Sequence, residues 1–104
     1  MAKIIILFRL KDGVSHDAFE AWTRETDSPT MRGVARVESF VKSRATHRLI
    51  GDGPPCVDYV EVFEVADLDG FMAEDMGGPV VQGIMGEFLA FAEAPEFLVA
   101  EDVA

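Results

Sequence analysis

Hydrophobic and polar positions along this chain alternate between a period of two and a period of three to four, and the switches between them lay out the elements. Ile4, Ile6, Phe8 and Leu10 share one side of an opening strand over residues 3–10, with Ile5 and Leu7 on the other, so this strand is covered on both faces. Lys11-Asp12-Gly13 reads as a turn. Ser15 then caps a helix to about Thr26, with Asp17 in its first turn and Ala18, Phe19, Trp22 and Thr26 as its inner stripe. Asp27-Ser28-Pro29 ends or kinks it, and residues 30–34 lead into a long strand over 35–50. A second strand over 57–65 follows the Gly51-Asp52-Gly53-Pro54-Pro55-Cys56 connection. Asp67 caps a helix carrying Leu68, Phe71, Met72 and Met76, which Gly77-Gly78-Pro79 breaks. A further helical piece runs from Pro79 to about Glu93, weakened by Gly83 and Gly86, and residues 97–99 form the last strand.

The order strand, helix, strand, strand, helix, strand predicts an α+β, ferredoxin-like βαββαβ domain over residues 1–104. Its sheet has four antiparallel strands with both helices on one face. The other face is apolar in places, through Ile5, Leu7, Val60 and Val62, so two such sheets packing face to face is the expected solution.

The hairpin carries the candidate chemistry. Period two puts Val37, Ser39, Val41, Ser43, Ala45, His47 and Leu49 on one face of its first strand, and Val57, Tyr59, Glu61, Phe63 and Val65 on one face of its second. With Leu49 opposite Val57, His47 lies across from Tyr59 and Ala45 across from Glu61. An imidazole that titrates near neutrality, a phenol that can orient it and a carboxyl raised by apolar surroundings then share one pocket wall. Arg36, Lys42, Arg44 and Arg48 fall on the opposite parity and read as the polar face. A solvated His47 near the hairpin tip, or a bulge that turns Glu61 outward, would dissolve this arrangement. Trp22, Phe71, Met72 and Phe88 are the expected cleft residues, with Met31, Met76 and Met85 as adaptable apolar lining. Glu74 is a minor pocket candidate.

Composition removes several classes. The 104 residues are 49% hydrophobic yet carry a net charge of −10, so a nucleic-acid partner is repelled while a subunit interface is favoured. No apolar run spans a bilayer, and residues 4–8 are too short for a signal peptide, so a cytoplasmic protein is expected. His16 and His47 are far apart and Cys56 stands alone, which leaves no metal-ligand spacing. Gly51-x-Gly53 opens no helix and is no phosphate cradle.

The opening Ile4-Ile5-Ile6-Leu7-Phe8-Arg9-Leu10-Lys11-Asp12-Gly13 and the element order resemble the dimeric α+β barrel superfamily. Met76-Gly77-Gly78-Pro79-Val80-Val81-Gln82 and the final strand resemble its RedY/HapK-like branch, which is associated with prodiginine and bis-indole pathways. The resemblance implies a homodimer whose protomers each hold a ligand cleft between helices and sheet. The superfamily's plant-type polyketide cyclases carry a first-strand His where this chain has Ile4, and their later Tyr and His fall near Glu74 and Val80, so their mechanism does not transfer. The expected function is a cofactor-independent enzyme of secondary metabolism acting by cyclisation, isomerisation or hydration on an apolar aromatic or heterocyclic metabolite. His47, Tyr59 and Glu61 would be its acid–base set. A non-catalytic ligand-binding or stress-response dimer, and a cofactorless monooxygenase, are the alternatives.

Overall fold

The first strand, apolar on both sides, takes an interior place in the sheet, where helices cover one face and neighbours pair with both edges. The computed structural model describes residues 2–104. Its elements run β1 (Ala2–Leu10), α1 (His16–Trp22), a π-helical turn (Thr23–Asp27), α2 (Ser28–Arg32), β2 (Val37–Arg44) and β3 (Tyr59–Val65). There follow α3 (Leu68–Gly70), a second π-helical turn (Phe71–Asp75), α4 (Pro79–Phe91) and β4 (Ala92–Ala100). The strands pair antiparallel in the order β2-β3-β1-β4, the ferredoxin-like α+β arrangement.

Ser15 caps α1 by accepting from the Ala18 backbone N–H at 3.1 Å. Its buried face brings Phe19 onto the sheet, where Phe8 lies edge-on to it at 5.5 Å and Tyr59 at 4.9 Å. Val81, Ile84 and Phe88 of α4 bury against the same sheet face, which also carries Ile6, Phe8, Phe40 and Phe63. Burying aromatic side chains of this size stabilises by about 1.5–3 kcal/mol each, so this layer dominates the fold. The opposite sheet face carries Ile5, Leu7, Val60 and Val62, half-buried, and Val41, 55% exposed.

Several boundaries differ from expectation. The first helix does not stop at Asp27-Ser28-Pro29. It widens into the π turn and resumes as α2 with Pro29 in its first turn, where a missing N–H costs nothing. The hairpin strands are shorter than the apolar runs. Positive φ at Gly51 and Gly53 and the two prolines shape a broad loop, while Asp58 turns its backbone N–H toward Phe8 O at 2.9 Å and its carboxylate toward the Leu10 N–H at 2.8 Å. β4 is longer than residues 97–99 because a bulge accommodates Ala94 (φ 43°) and Pro95, and the strand pairs with β1 on both sides of it.

The largest correction is the register of the hairpin. Arg44 pairs with Tyr59, Lys42 with Glu61 and Phe40 with Phe63, and the pairing shifts between Val37 and Ser39. Relative to a Leu49–Val57 pairing this is an odd slip over residues 39–44, so those side chains change face while Val37, before the shift, keeps its own. Lys42 therefore faces the helices, and neither His47 nor Ala45 pairs with β3. The driving force is Phe40: the bulge near Glu38 lets both Val37 and Phe40 reach the core, and Phe40 stacks on Phe63 at 4.2 Å.

Candidate functional site

Between the sheet and the two helical arms lies a cavity of about 380 Å³. Its floor is Ile4, Ile6, Glu61 and Phe63, with Phe97 and Val99 of β4. Its walls come from Met31, from Phe71, Met72 and Met76, and from Val81, Ile84, Met85 and Phe88 of α4. Among the described residues, Asp27 and Glu61 are the two polar side chains in that lining. Volume and character suit a small apolar ligand oriented by one or two polar contacts.

The polar corner is a buried triad. Asp27 ends the first π turn and Lys42 comes from β2, beside Glu61 on β3. Lys42 Nζ donates to Asp27 Oδ2 at 2.7 Å and to Thr23 Oγ1 at 2.9 Å, and lies 3.8 Å from Glu61 Oε1. The ammonium sits over the rings of Phe19, at 4.4 Å, and Trp22, at 5.0 Å, and only 4% of its side chain is exposed. The aromatic roof and ion pair compensate for its desolvation.

One cation between two buried carboxyls cannot keep both ionised. Burial raises Asp27 above its ordinary range, with Lys42 opposing the shift. Burial pushes Glu61 up to about 8, again opposed by Lys42 and reinforced by the neighbouring Asp27. The distances decide between them. Asp27 holds the short contact and is the ionised partner, so the proton resides on Glu61 at neutral pH. Glu61 Oε2 is buried and has no hydrogen-bond partner. A buried carboxyl oxygen without a protein partner, in an otherwise apolar cavity wall, can bond a water or a ligand.

A second polar cluster ties α1 to β3. The Tyr59 hydroxyl donates to Glu20 Oε2 at 2.7 Å and, its hydrogen so committed, accepts from His16 Nδ1 at 2.8 Å. Arg44 Nη1 approaches Glu20 at 3.4 Å. Burial, then the bond to Glu20, raises the phenol above its ordinary pKa, while that same bond lowers Glu20. These residues do not line the cavity.

The expected site residues thus part company. Glu61, Phe71, Met72 and Phe88 meet at the cavity, as do Met31, Met76 and Met85, expected as lining. Tyr59 is buried beside His16, and His47 is exposed in the hairpin loop, bonded to Thr46 Oγ1 at 2.9 Å. Trp22 roofs Lys42 and donates to Glu87 Oε1 at 3.2 Å, outside the cavity wall. Glu74 bonds Arg36 instead of facing the cavity. Asp27 and Lys42 are the residues sequence reasoning missed, one taken for a helix terminator and the other for a surface lysine. Phe40, which shares the Lys42 parity, was the available signal. Among the described residues no three His, Cys, Asp or Glu side chains form a metal-binding group, and no helix is long and apolar enough to cross a membrane.

Fold and cavity place the chain among ferredoxin-like α+β proteins. The family model of REDY-like protein HapK matches residues 2–103, and the chain belongs to that family. HapK from Hahella chejuensis is similar at 34% identity, with 99% of this chain and 93% of that chain covered and a TM-score of 0.79. A hydroxynitrile lyase from Passiflora edulis shares the fold at 12% identity, over 99% and 94% of the two chains, with a TM-score of 0.80. A dimeric ferredoxin-like protein from Thermobifida fusca does so at 18% identity, over 97% and 90%, with a TM-score of 0.71. No curated protein matches the chain by sequence.

Proposed function

We propose that this protein is a cofactor-independent enzyme of secondary metabolism that binds an apolar aromatic or heterocyclic metabolite in the helix–sheet cavity and moves a proton to or from it at Glu61. The observation that carries the reading is the Glu61 carboxyl, buried and with one oxygen unpartnered, in a lining otherwise apolar apart from Asp27; burial raises it to about 8, which favours the neutral acid. A neutral acid in dry surroundings donates to a carbonyl or hydroxyl oxygen of the ligand. The carboxylate it leaves is stabilised by Lys42 3.8 Å away, and recovers a proton from a ligand carbon or from water. Cyclisation, isomerisation and hydration all fit this cycle. Phe71, Met72 and Phe88 shape the cleft, and Trp22 acts through Lys42. Tyr59 positions α1, and His47 takes no part.

The same reading includes a homodimer. Ile5, Leu7, Val60 and Val62 make an apolar outer sheet face that a second copy would cover, and ferredoxin-like relatives are described as dimeric.

Native mass spectrometry of freshly purified protein, followed by assay of the retained molecule with a Glu61→Gln variant, tests the proposal. A dimer carrying a neutral aromatic molecule, which the variant binds but does not convert, is the expected result. Equal conversion by the variant removes Glu61 from the chemistry, and loss of retention in the variant makes the protein a binding module.

A further inference from the structure

The outer wall of the cavity is a short irregular segment with little of its own to hold it. Residues 68–76 comprise three residues of α3, the second π turn and Met76. Phe71 is buried, whereas Asp69, Met72, Ala73 and Glu74 are exposed. Met72, 54% exposed, and the exposed Phe97 and Val99 of β4 all line the cavity, which therefore meets solvent at these side chains. Gly77 and Gly78 follow directly. A side chain at Gly77 would meet nothing within 4 Å, so this end of the segment is not packed in by its neighbours.

Beyond the buried Phe71 and the Gln82 Nε2 donation to Met76 O at 2.6 Å, one charged side chain ties the segment to the start of β2. Arg36, in the turn before β2, donates from Nη2 to Glu74 Oε2 at 2.9 Å, from Nη1 to Asp75 at 3.2 and 3.3 Å on its two oxygens, and from Nε to Asp67 Oδ2 at 3.4 Å. The guanidinium thus grips both ends of the segment. A Cβ at Gly70 would meet the Asp67 carboxylate and, at 2.6 Å, Arg36 Nε, so glycine at that position gives the grip its room. One cation among three carboxylates leaves the segment net negative, and without Arg36 those charges repel one another.

We infer that Arg36 is the latch of a lid formed by residues 68–76, and that its release opens the cavity for a ligand to enter and leave. Exposed ion pairs are individually weak and screened by salt, which suits a contact that must break often. The lid opens at the Met72 rim while Phe71 and the strands beneath stay packed. The inference rests on the reading of the cavity as a ligand site, but the latch itself has a consequence that needs no ligand.

Hydrogen exchange of the unliganded protein reads that consequence, through amides such as Met76 N, bonded to Phe71 O at 2.9 Å, and Gly78 N, bonded to Asp75 O at 3.1 Å. Arg36→Gln is expected to speed exchange across residues 68–78 about fivefold or more, with β1 and β3 unchanged. A Glu74→Gln/Asp75→Asn double variant, which weakens the ties to residues 74 and 75 and leaves Arg36 on Asp67, is expected to do the same to a smaller extent. Raising NaCl from 0.05 to 1 M, concentrations chosen to collapse the screening length, should speed lid exchange in the native chain and leave Arg36→Gln unchanged or slower, as its carboxylate repulsion is screened. Stopped-flow release of the uncharged fluorophore N-phenyl-1-naphthylamine should accelerate in both variants, with entry accelerating in parallel. Unchanged lid exchange overturns the latch, and so does acceleration that spreads equally through β1 and β3. Faster lid exchange with no fluorophore binding in any form supports the latch and removes the ligand reading of the cavity.

Discussion

Two polar clusters lie under the first helical arm, and both contain acid–base side chains. At His16–Tyr59–Glu20 the hydroxyl is used in both directions, its neighbours reach solvent, and the helix–sheet cavity does not reach it. At Asp27–Lys42–Glu61 the groups are buried more deeply, one carboxyl oxygen is left unpartnered, and a cavity opens against it. The first closes on itself and acts as a tie between α1 and β3. The second stores an unfilled bond. Residue type does not separate them; burial and the count of satisfied atoms do.

The sharpest contrast is in pH dependence. Glu61 is raised from 4.5 to about 8, so between those values the folded chain keeps a proton that the unfolded chain has lost. Stability therefore falls as pH rises from about 4.5 through 8 and levels off above, by at most about 5 kcal/mol at roughly 1.4 kcal/mol per unit. Asp27, raised in the same direction, adds to the slope near its lower end. Urea unfolding across pH 4–9 measures it, and Glu61→Gln should flatten most of it. A native slope equal to that of the variant would place Glu61 with the satisfied cluster.

Removing Lys42 should come next in size. Lys42→Met leaves Asp27 and Glu61 without their cation, and unpairing buried charge costs about 3–5 kcal/mol. The loss should shrink as pH falls and Asp27, the ionised partner, takes up a proton, Glu61 being neutral already, which unfolding midpoints at pH 7 and pH 5 will show. Tyr59→Phe removes only a bonded hydroxyl whose partners can turn to water, so about 1 kcal/mol is expected, with fluorophore binding unchanged. His47→Ala, in an exposed loop, should stay within about 0.5 kcal/mol of the native chain in the same unfolding assay and leave binding unchanged.

The element order and the apolar central strand were legible because periodicity reports burial directly. The methionines were legible in part: Met76 and Met85 fall on helical stripes of the pattern, whereas Met31 lies in α2 over residues read as the approach to a strand, and Met72 lines the cavity from an exposed position. The hairpin register was not legible. β2 carries apolar residues on both parities, Val37 and Val41 on one and Phe40 on the other, and a bulge lets it switch face without any mark in the pattern. That switch moved Lys42 inward and left His47 in the loop. Glu61 reached its expected face, because β3 alternates strictly as Tyr59, Glu61, Phe63 and Val65, all buried. Asp27 was hidden for a different reason: Asp before Ser-Pro signals a helix end, and here the helix widens and continues, turning that carboxylate into the site.

The account stands most directly on the proton held by Glu61. Carbon-detected NMR of protein labelled with 13C at glutamate side-chain carboxyls, with Glu61 assigned by comparison with Glu61→Gln, follows that proton through a pH titration. A Glu61 resonance that keeps the shift of a neutral acid at pH 6 and titrates near 8 is the predicted result. A midpoint at or below 4.5 would mean a carboxylate already ionised beside Lys42, and would contradict the assignment of Glu61 as the acid of the site.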